Sequence, residues 1–84
     1  MNRRSLALLM ARENIRPAAF DLEGGKMDEC LSLAPSSGGW SVYFYERGKR
    51  TFTRFFETED EACDFMATEL LRDPSTRQRS GQSP

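Results

Sequence analysis

Segment 39–71 constrains the fold most, because it is the most densely apolar part of the chain. It opens with WSVYFY at 40–45, where every residue except Ser41 is β-branched or aromatic, as is typical of a strand. Arg47-Gly48 then indicates a hairpin turn, since glycine readily adopts the positive φ that such turns require. Residues 50–56 are predicted to return as the next strand. The chain is therefore expected to fold around an aromatic β-hairpin.

Alternation along this strand divides its side chains between two faces. Trp40, Val42 and Phe44 share one face, and Ser41, Tyr43 and Tyr45 share the other. The register of the returning strand stays open, because a slip of one residue exchanges its faces. It is therefore also open whether Arg50 and Arg54 lie with the tyrosines. We favour Phe56 on the Trp40 face, because Phe56 directly precedes a helix and can pack beneath it.

The sequence TEDE at 58–61 predicts the start of that helix. Thr58 and Glu61 have the spacing of a capping box, and acidic residues in a first turn complement the helix dipole. At 100° per residue, one apolar stripe then follows, made of Ala62, Cys63, Met66, Ala67 and Leu70. The helix is expected to end near Arg72, before Asp73-Pro74.

The N-terminal part contains weaker signals. Residues 2–13 are predicted to be helical, with Asn2 as N-cap, Leu6, Leu9 and Met10 on one face, and Leu8 and Ala11 widening that stripe. Residues 17–22 indicate a turn and a short extended piece, and 30–34 a first strand. Residues 35–39 are expected to form a loop.

These elements predict an α+β fold in the order α-β-β-β-α. A three-stranded antiparallel sheet is expected to carry both helices on one face and to leave its other face uncovered. Residues 1–74 would form a single domain, and the polar residues 75–84 a disordered C-terminal tail.

Composition restricts the chemistry. The 84 residues include no histidine and two cysteines, Cys30 and Cys63. This excludes Ser-His and Cys-His nucleophile arrangements and gives neither a disulfide framework nor a zinc site. Nothing predicts an enzyme, a metal site, a catalytic residue or a cofactor, and no apolar stretch is long enough for a signal peptide or a membrane span. We expect a cytoplasmic protein with reduced, buried thiols.

Charge is unevenly distributed. The net charge is −1, yet residues 6–74 hold eight basic and thirteen acidic residues, about −5 by subtraction. This imbalance favours a basic partner. The alternative is a nucleic-acid-binding or regulatory module that uses Arg47, Lys49, Arg50 and Arg54 on the hairpin. The element order is also that of double-stranded RNA-binding domains, but those begin their last helix with lysines. The acidic residues found there in this chain would repel phosphates.

The segments WSVYFYERGKR and FFETEDEACDFM resemble small bacterial immunity proteins of polymorphic toxin–immunity loci. The first matching set is Trp40, Val42, Tyr43, Phe44, Glu46, Arg47 and Gly48; the second is Phe56, Thr58, Glu59, Glu61, Ala62 and Cys63. The upstream AFDLEGGKMDECLSL is similar to a further stretch of that family, whereas Phe44-Tyr45 departs from its usual Tyr-Ser. The resemblance implies a cytosolic antitoxin that binds one cognate toxin domain. A nuclease, a deaminase and an ADP-ribosyltransferase all stay open as the toxin.

Charge and resemblance together predict a partner-binding surface that occludes a basic toxin cleft. The predicted residues are Tyr43, Tyr45, Glu46, Glu57, Glu59 and Asp60, with Asp28 and Glu29 as a second acidic edge. A third alternative is a homo-oligomer formed through the uncovered sheet face or a sheet edge.

Overall fold

The computed structural model describes residues 1–24 and 29–76, and it has an α+β architecture. Its elements, in chain order, are α1 (Arg3–Arg12), a 3-10 turn (Pro17–Ala19), β1 (Phe20–Asp21), β2 (Cys30–Ser36), β3 (Gly39–Glu46), β4 (Lys49–Phe56), α2 (Glu59–Arg72) and a second 3-10 turn (Pro74–Thr76). Two residues of the predicted tail, Ser75 and Thr76, thus belong to that turn. The rest of the tail, 77–84, lies outside the described residues.

The sheet has four strands in the order β1-β2-β3-β4, and it is mixed. The prediction of a three-stranded antiparallel sheet is therefore wrong in detail. The added strand, β1, runs parallel to β2 and pairs Phe20 with Leu31 and Asp21 with Ser32. A two-residue strand is too short to show alternation, so the sequence indicated only an extended piece there.

The β2–β3 connection is tighter than the predicted 35–39 loop. Strand β2 continues through Pro35, which pairs with Trp40, and Ser36 pairs with Gly39. Proline cannot donate a hydrogen bond to a ladder, so it is tolerated only where a strand edge is open. That condition holds here, because β1 contacts β2 only at Leu31 and Ser32.

The β3–β4 hairpin turns at Arg47-Gly48, as predicted. Both residues have positive φ, 53° and 82°, which matches the type I′ turns of two-residue hairpins. The register shifts between Phe44, opposite Phe52, and Tyr45, opposite Arg50, so Thr51 is an extra residue in a β-bulge. The bulge places Arg50 with the tyrosines and leaves Arg54 on the opposite face. The prediction that Phe56 lies on the Trp40 face is confirmed, since the two residues pair directly.

Both helices begin at the predicted caps. The Asn2 side chain accepts a hydrogen bond from the Ser5 N–H, and the Thr58 hydroxyl accepts one from the Glu61 N–H. The helices pack on one sheet face, here called the helix face, where a single core includes Leu6, Met10, Leu33, Val42 and Met66. The predicted widening of the α1 stripe is wrong, since Ala11 is exposed and Leu8 is 67% exposed.

The opposite sheet face, here called the outer face, is not uniformly open. Cys30, Ser32, Ser41 and Tyr43 lie on it and are all buried. Gly24 packs so closely against this face that an added Cβ would lie 2.9 Å from the Cβ of Ala34. The expectation of an uncovered face is therefore wrong around β2. Among residues 1–24 and 29–76, no helix has the length and apolar character that a membrane crossing needs.

Candidate functional site

A groove of about 680 Å³ lies on the helix face of the described chain. It lies between the C-terminal end of α2 and the end of the sheet that carries the Arg47-Gly48 turn. Its apolar lining consists of Leu31, Phe44, Phe52 and Leu70, together with Ala19. Phe52 is 39% exposed, so part of this lining is open to contact by another molecule.

Carboxylates dominate the polar lining of the groove. Glu29, Glu46, Glu69 and Asp73 contribute four, and Arg16 contributes one guanidinium. We refer to this feature as the acidic groove. These four carboxylates outnumber the guanidiniums of Arg16 and of Arg72, which pairs with Glu69, so the groove keeps a net negative charge beside its apolar lining and favours a cationic ligand with an apolar part.

The acids come from three parts of the fold. Glu29, with φ of 53°, directly precedes β2, and Glu46 ends β3 opposite Lys49. Glu69 projects from α2, where both its carboxylate oxygens accept from Arg72 Nη2 at 2.7 Å. Asp73 is the C-cap of α2.

A tight turn holds the rim near Asp73. The Thr76 hydroxyl donates to the carbonyl oxygens of Leu70 and Asp73, at 2.7 and 2.8 Å. The Arg16 N–H donates to the Thr76 carbonyl at 2.7 Å. These bonds satisfy a carbonyl that the end of a helix would otherwise leave unpaired, and they join α2 to the Arg16 segment.

Only two of the predicted site residues, Glu29 and Glu46, line this groove. Sequence reasoning missed Glu69, Asp73 and Phe52. The first two are spaced i, i+4 at the end of α2, a signal that could have been noticed. Phe52 was obscured by the undetermined register of β4. Asp28 lies outside the described residues.

The two tyrosines differ in accessibility. Tyr43 is only 2% exposed, so the expectation that it lies on an accessible surface is wrong. The Arg50 guanidinium covers its ring, with Cζ 3.9 Å from the ring centroid, and Tyr45 packs edge-on against it at 6.4 Å. Tyr45 is half-buried on the outer face, away from the acidic groove.

The predicted acids at the start of α2 connect the two helices. Glu59 Oε2 accepts from the Arg3 N–H at 2.8 Å and lies 3.5 Å from Arg3 Nε. Asp60 forms an ion pair with the amino group of Met1. Glu57 is exposed just after β4, outside the groove. Glu59 and Asp60 therefore have structural contacts within the chain.

The two thiols are shielded from solvent. Cys30 and Cys63 are free and buried. Burial, followed by the nearby Glu59 carboxylate, raises the pKa of the Cys63 thiol from 9.0 to about 11 and disfavours a reactive thiolate. Within the part of the chain that the structure describes, no three His, Cys, Asp or Glu side chains are grouped to hold a metal ion.

Comparisons of this chain with protein-family models, with curated proteins and with solved structures found no match. The resemblance to immunity proteins therefore stays a prediction, and the acidic groove has to be interpreted from its own geometry.

Proposed function

We propose that this chain is a non-enzymatic immunity protein, which binds a cognate toxin domain in the cytoplasm and occludes a basic active-site cleft. The acidic groove is the observation that supports this proposal most. Its four carboxylates and its apolar lining suit a basic segment that carries an apolar anchor. Attraction between the acidic groove and the basic cleft would speed association with the toxin domain, and the desolvated apolar contact would slow its dissociation.

The proposed interface therefore differs from the set of residues that was predicted from the sequence. Glu29 and Glu46 stay in it, and Glu69, Asp73 and Phe52 join them. Tyr43 leaves it because it is buried beneath Arg50. Glu59 and Asp60 leave it because they contact Arg3 and Met1.

A matched pair of charge reversals tests this interface. Glu46→Lys is expected to weaken binding to the cognate toxin domain by about tenfold or more, since a reversed charge beside a cationic ligand costs about 1.4 kcal/mol or more. Glu23→Lys makes the same charge change at an exposed position outside the groove and should alter the Kd by less than about twofold. Calorimetry with the purified domains gives both constants. Equal effects of the two reversals would contradict a specific role for the groove.

A nucleic-acid-binding module is the second candidate, supported by the exposed cations of β4. Lys49, Arg50 and Arg54 all lie on that strand, after Arg47 in the turn. Titration of generic RNA and DNA at low salt separates the two functions. Salt-dependent binding that is lost in Arg54→Ala would favour this candidate, and no binding would favour the toxin inhibitor.

A further inference from the structure

Strand β4 presents a long open edge. It has eight residues, pairs only with β3, and ends the strand order of the sheet. Every one of its residues is exposed except Phe56, which is half-buried. An edge of this kind offers backbone N–H and C=O groups to an additional strand.

Two phenylalanines indicate how a ligand would approach this edge. Phe52 and Phe55, 39% and 52% exposed, are two of the three large apolar side chains that stand out as exposed in the described chain. Phe52 lies on the helix face, opposite Phe44, whereas Phe55 lies on the outer face, opposite Ser41. A ligand that docks on one face can cover only one of them. A strand added at the edge can cover both.

Only the first part of the edge is protected against such pairing. Bulges and charged side chains are the usual devices that prevent edge pairing. The bulge at Thr51 and the cations Lys49 and Arg50 all lie at the start of β4. From Phe52 to Phe56, Arg54 is the single charged residue.

We propose that β4 pairs antiparallel with β4 of a second copy of this chain, about a two-fold axis at Thr53. The strand is self-complementary in charge, since Lys49 and Arg50 begin it and Glu57 follows its end. Antiparallel pairing brings the cationic start of one copy beside Glu57 of the other, twice per dimer. The proposal rests on the edge and does not depend on the proposed function.

The charges also select the register. A two-fold axis perpendicular to the sheet keeps both copies' helices on one side, so residues that pair beyond the Thr51 bulge must share a face. An axis at Thr53 sets Phe52 opposite Arg54 of the second copy. An axis at Arg54 would set two guanidiniums directly opposite each other, and an axis at Phe52 would bring Arg54 against the cationic start. Like charges opposite each other destabilise a sheet, so Thr53 is the favoured centre.

Cysteine cross-linking tests the register. Residues paired on the axis have Cα atoms about 4.5–5.5 Å apart, within the range that a disulfide spans. Thr53→Cys is therefore expected to give a reductant-sensitive covalent dimer under mild oxidation, whereas the native thiols are both buried. Thr68→Cys, on the exposed side of α2, is the control and should stay monomeric. Equal cross-linking of both variants, or of neither, would overturn the proposal.

A charge exchange tests the self-complementarity. Lys49→Glu and Glu57→Lys should each weaken the dimer by about tenfold or more, because both end contacts become repulsive. An equimolar mixture of the two variants should dimerise again, since every end contact then joins unlike charges. Sedimentation analysis measures all three samples and the wild type. A wild type that is monomeric at about 1 mM, or a mixture that does not recover, would overturn the proposal.

Discussion

A single carboxylate, that of Glu59, is predicted to stabilise the beginnings of both helices. Glu59 is the first residue of α2, where negative charge complements the helix dipole. Its Oε2 also accepts from the N–H of Arg3, the first residue of α1, whose N–H has no partner inside its own helix. Replacement of Glu59 by alanine removes both contributions at once.

The loss of stability expected for Glu59→Ala follows from the geometry of these contacts. A charge-assisted hydrogen bond to a backbone N–H contributes about 1.5–3 kcal/mol, and this one is only partly buried, which favours the lower end. The dipole term adds about 0.3–1 kcal/mol, and the exposed pair with Arg3 Nε adds about 0.5 kcal/mol. We expect Glu59→Ala to lower the free energy of unfolding by about 2 kcal/mol. Glu61→Ala, in the same first turn, should cost about 0.5 kcal/mol.

Urea denaturation, followed by circular dichroism, measures these differences. With an m value of about 1 kcal/mol/M, Glu59→Ala should move the midpoint by about 2 M. A double-mutant cycle with Arg3→Ala separates the two contacts that Glu59 makes with Arg3. Arg3→Ala removes the ion pair with the guanidinium and keeps the hydrogen bond from the backbone N–H. In the Arg3→Ala background, Glu59→Ala should still cost about 1.5 kcal/mol. A cost near zero there would refute the backbone bond as the source of stability.

Three further substitutions test the β2–β3 hairpin and the core. Gly39→Ala should cost about 2 kcal/mol or more in urea denaturation, because the methyl would overlap the Phe56 carbonyl and lie 2.8 Å from the Phe55 ring. Gly38→Ala, with φ of +78° and open space, should cost about 1 kcal/mol. Burial keeps the Cys63 thiol protonated in the native state at a pH where the same thiol is ionised in the unfolded chain. The free energy of unfolding, measured relative to that of Cys63→Ala, should therefore be constant below pH 9 and should fall as the pH rises toward 11.

Elements set by local chemistry were predicted well. The start of α2 follows from Thr58, whose hydroxyl accepts from an N–H three residues later, and the β3–β4 turn follows from Arg47-Gly48. Both signals lie within four residues of the feature that they determine. The bulge at Thr51 depends instead on how β4 fits β3, so no local pattern could fix which face carries Arg50 and Arg54.

Burial on the outer face could not be predicted for a related reason. Tyr43 alternates with core residues and was therefore expected on an accessible face. Its burial depends on the Arg50 guanidinium above it, which the bulge positions. The acidic groove is also non-local, since Glu29 and Glu69 are 40 positions apart in the sequence. Composition predicted its charge, and only the fold shows which acids share one surface.

The excess of acidic residues divides into two groups at the two ends of α2. At its start, Glu59 and Asp60 contact α1 and the N-terminal amine, so their charges are used within the fold. At its end, Glu69 and Asp73 join Glu29 and Glu46 around an apolar groove. Reversal of a charge at the start should therefore lower stability before it changes any interface. Glu29 and Glu46 line the groove from the sheet, so a change in affinity can be separated from a change in folding at these two residues, and partner binding is best tested there.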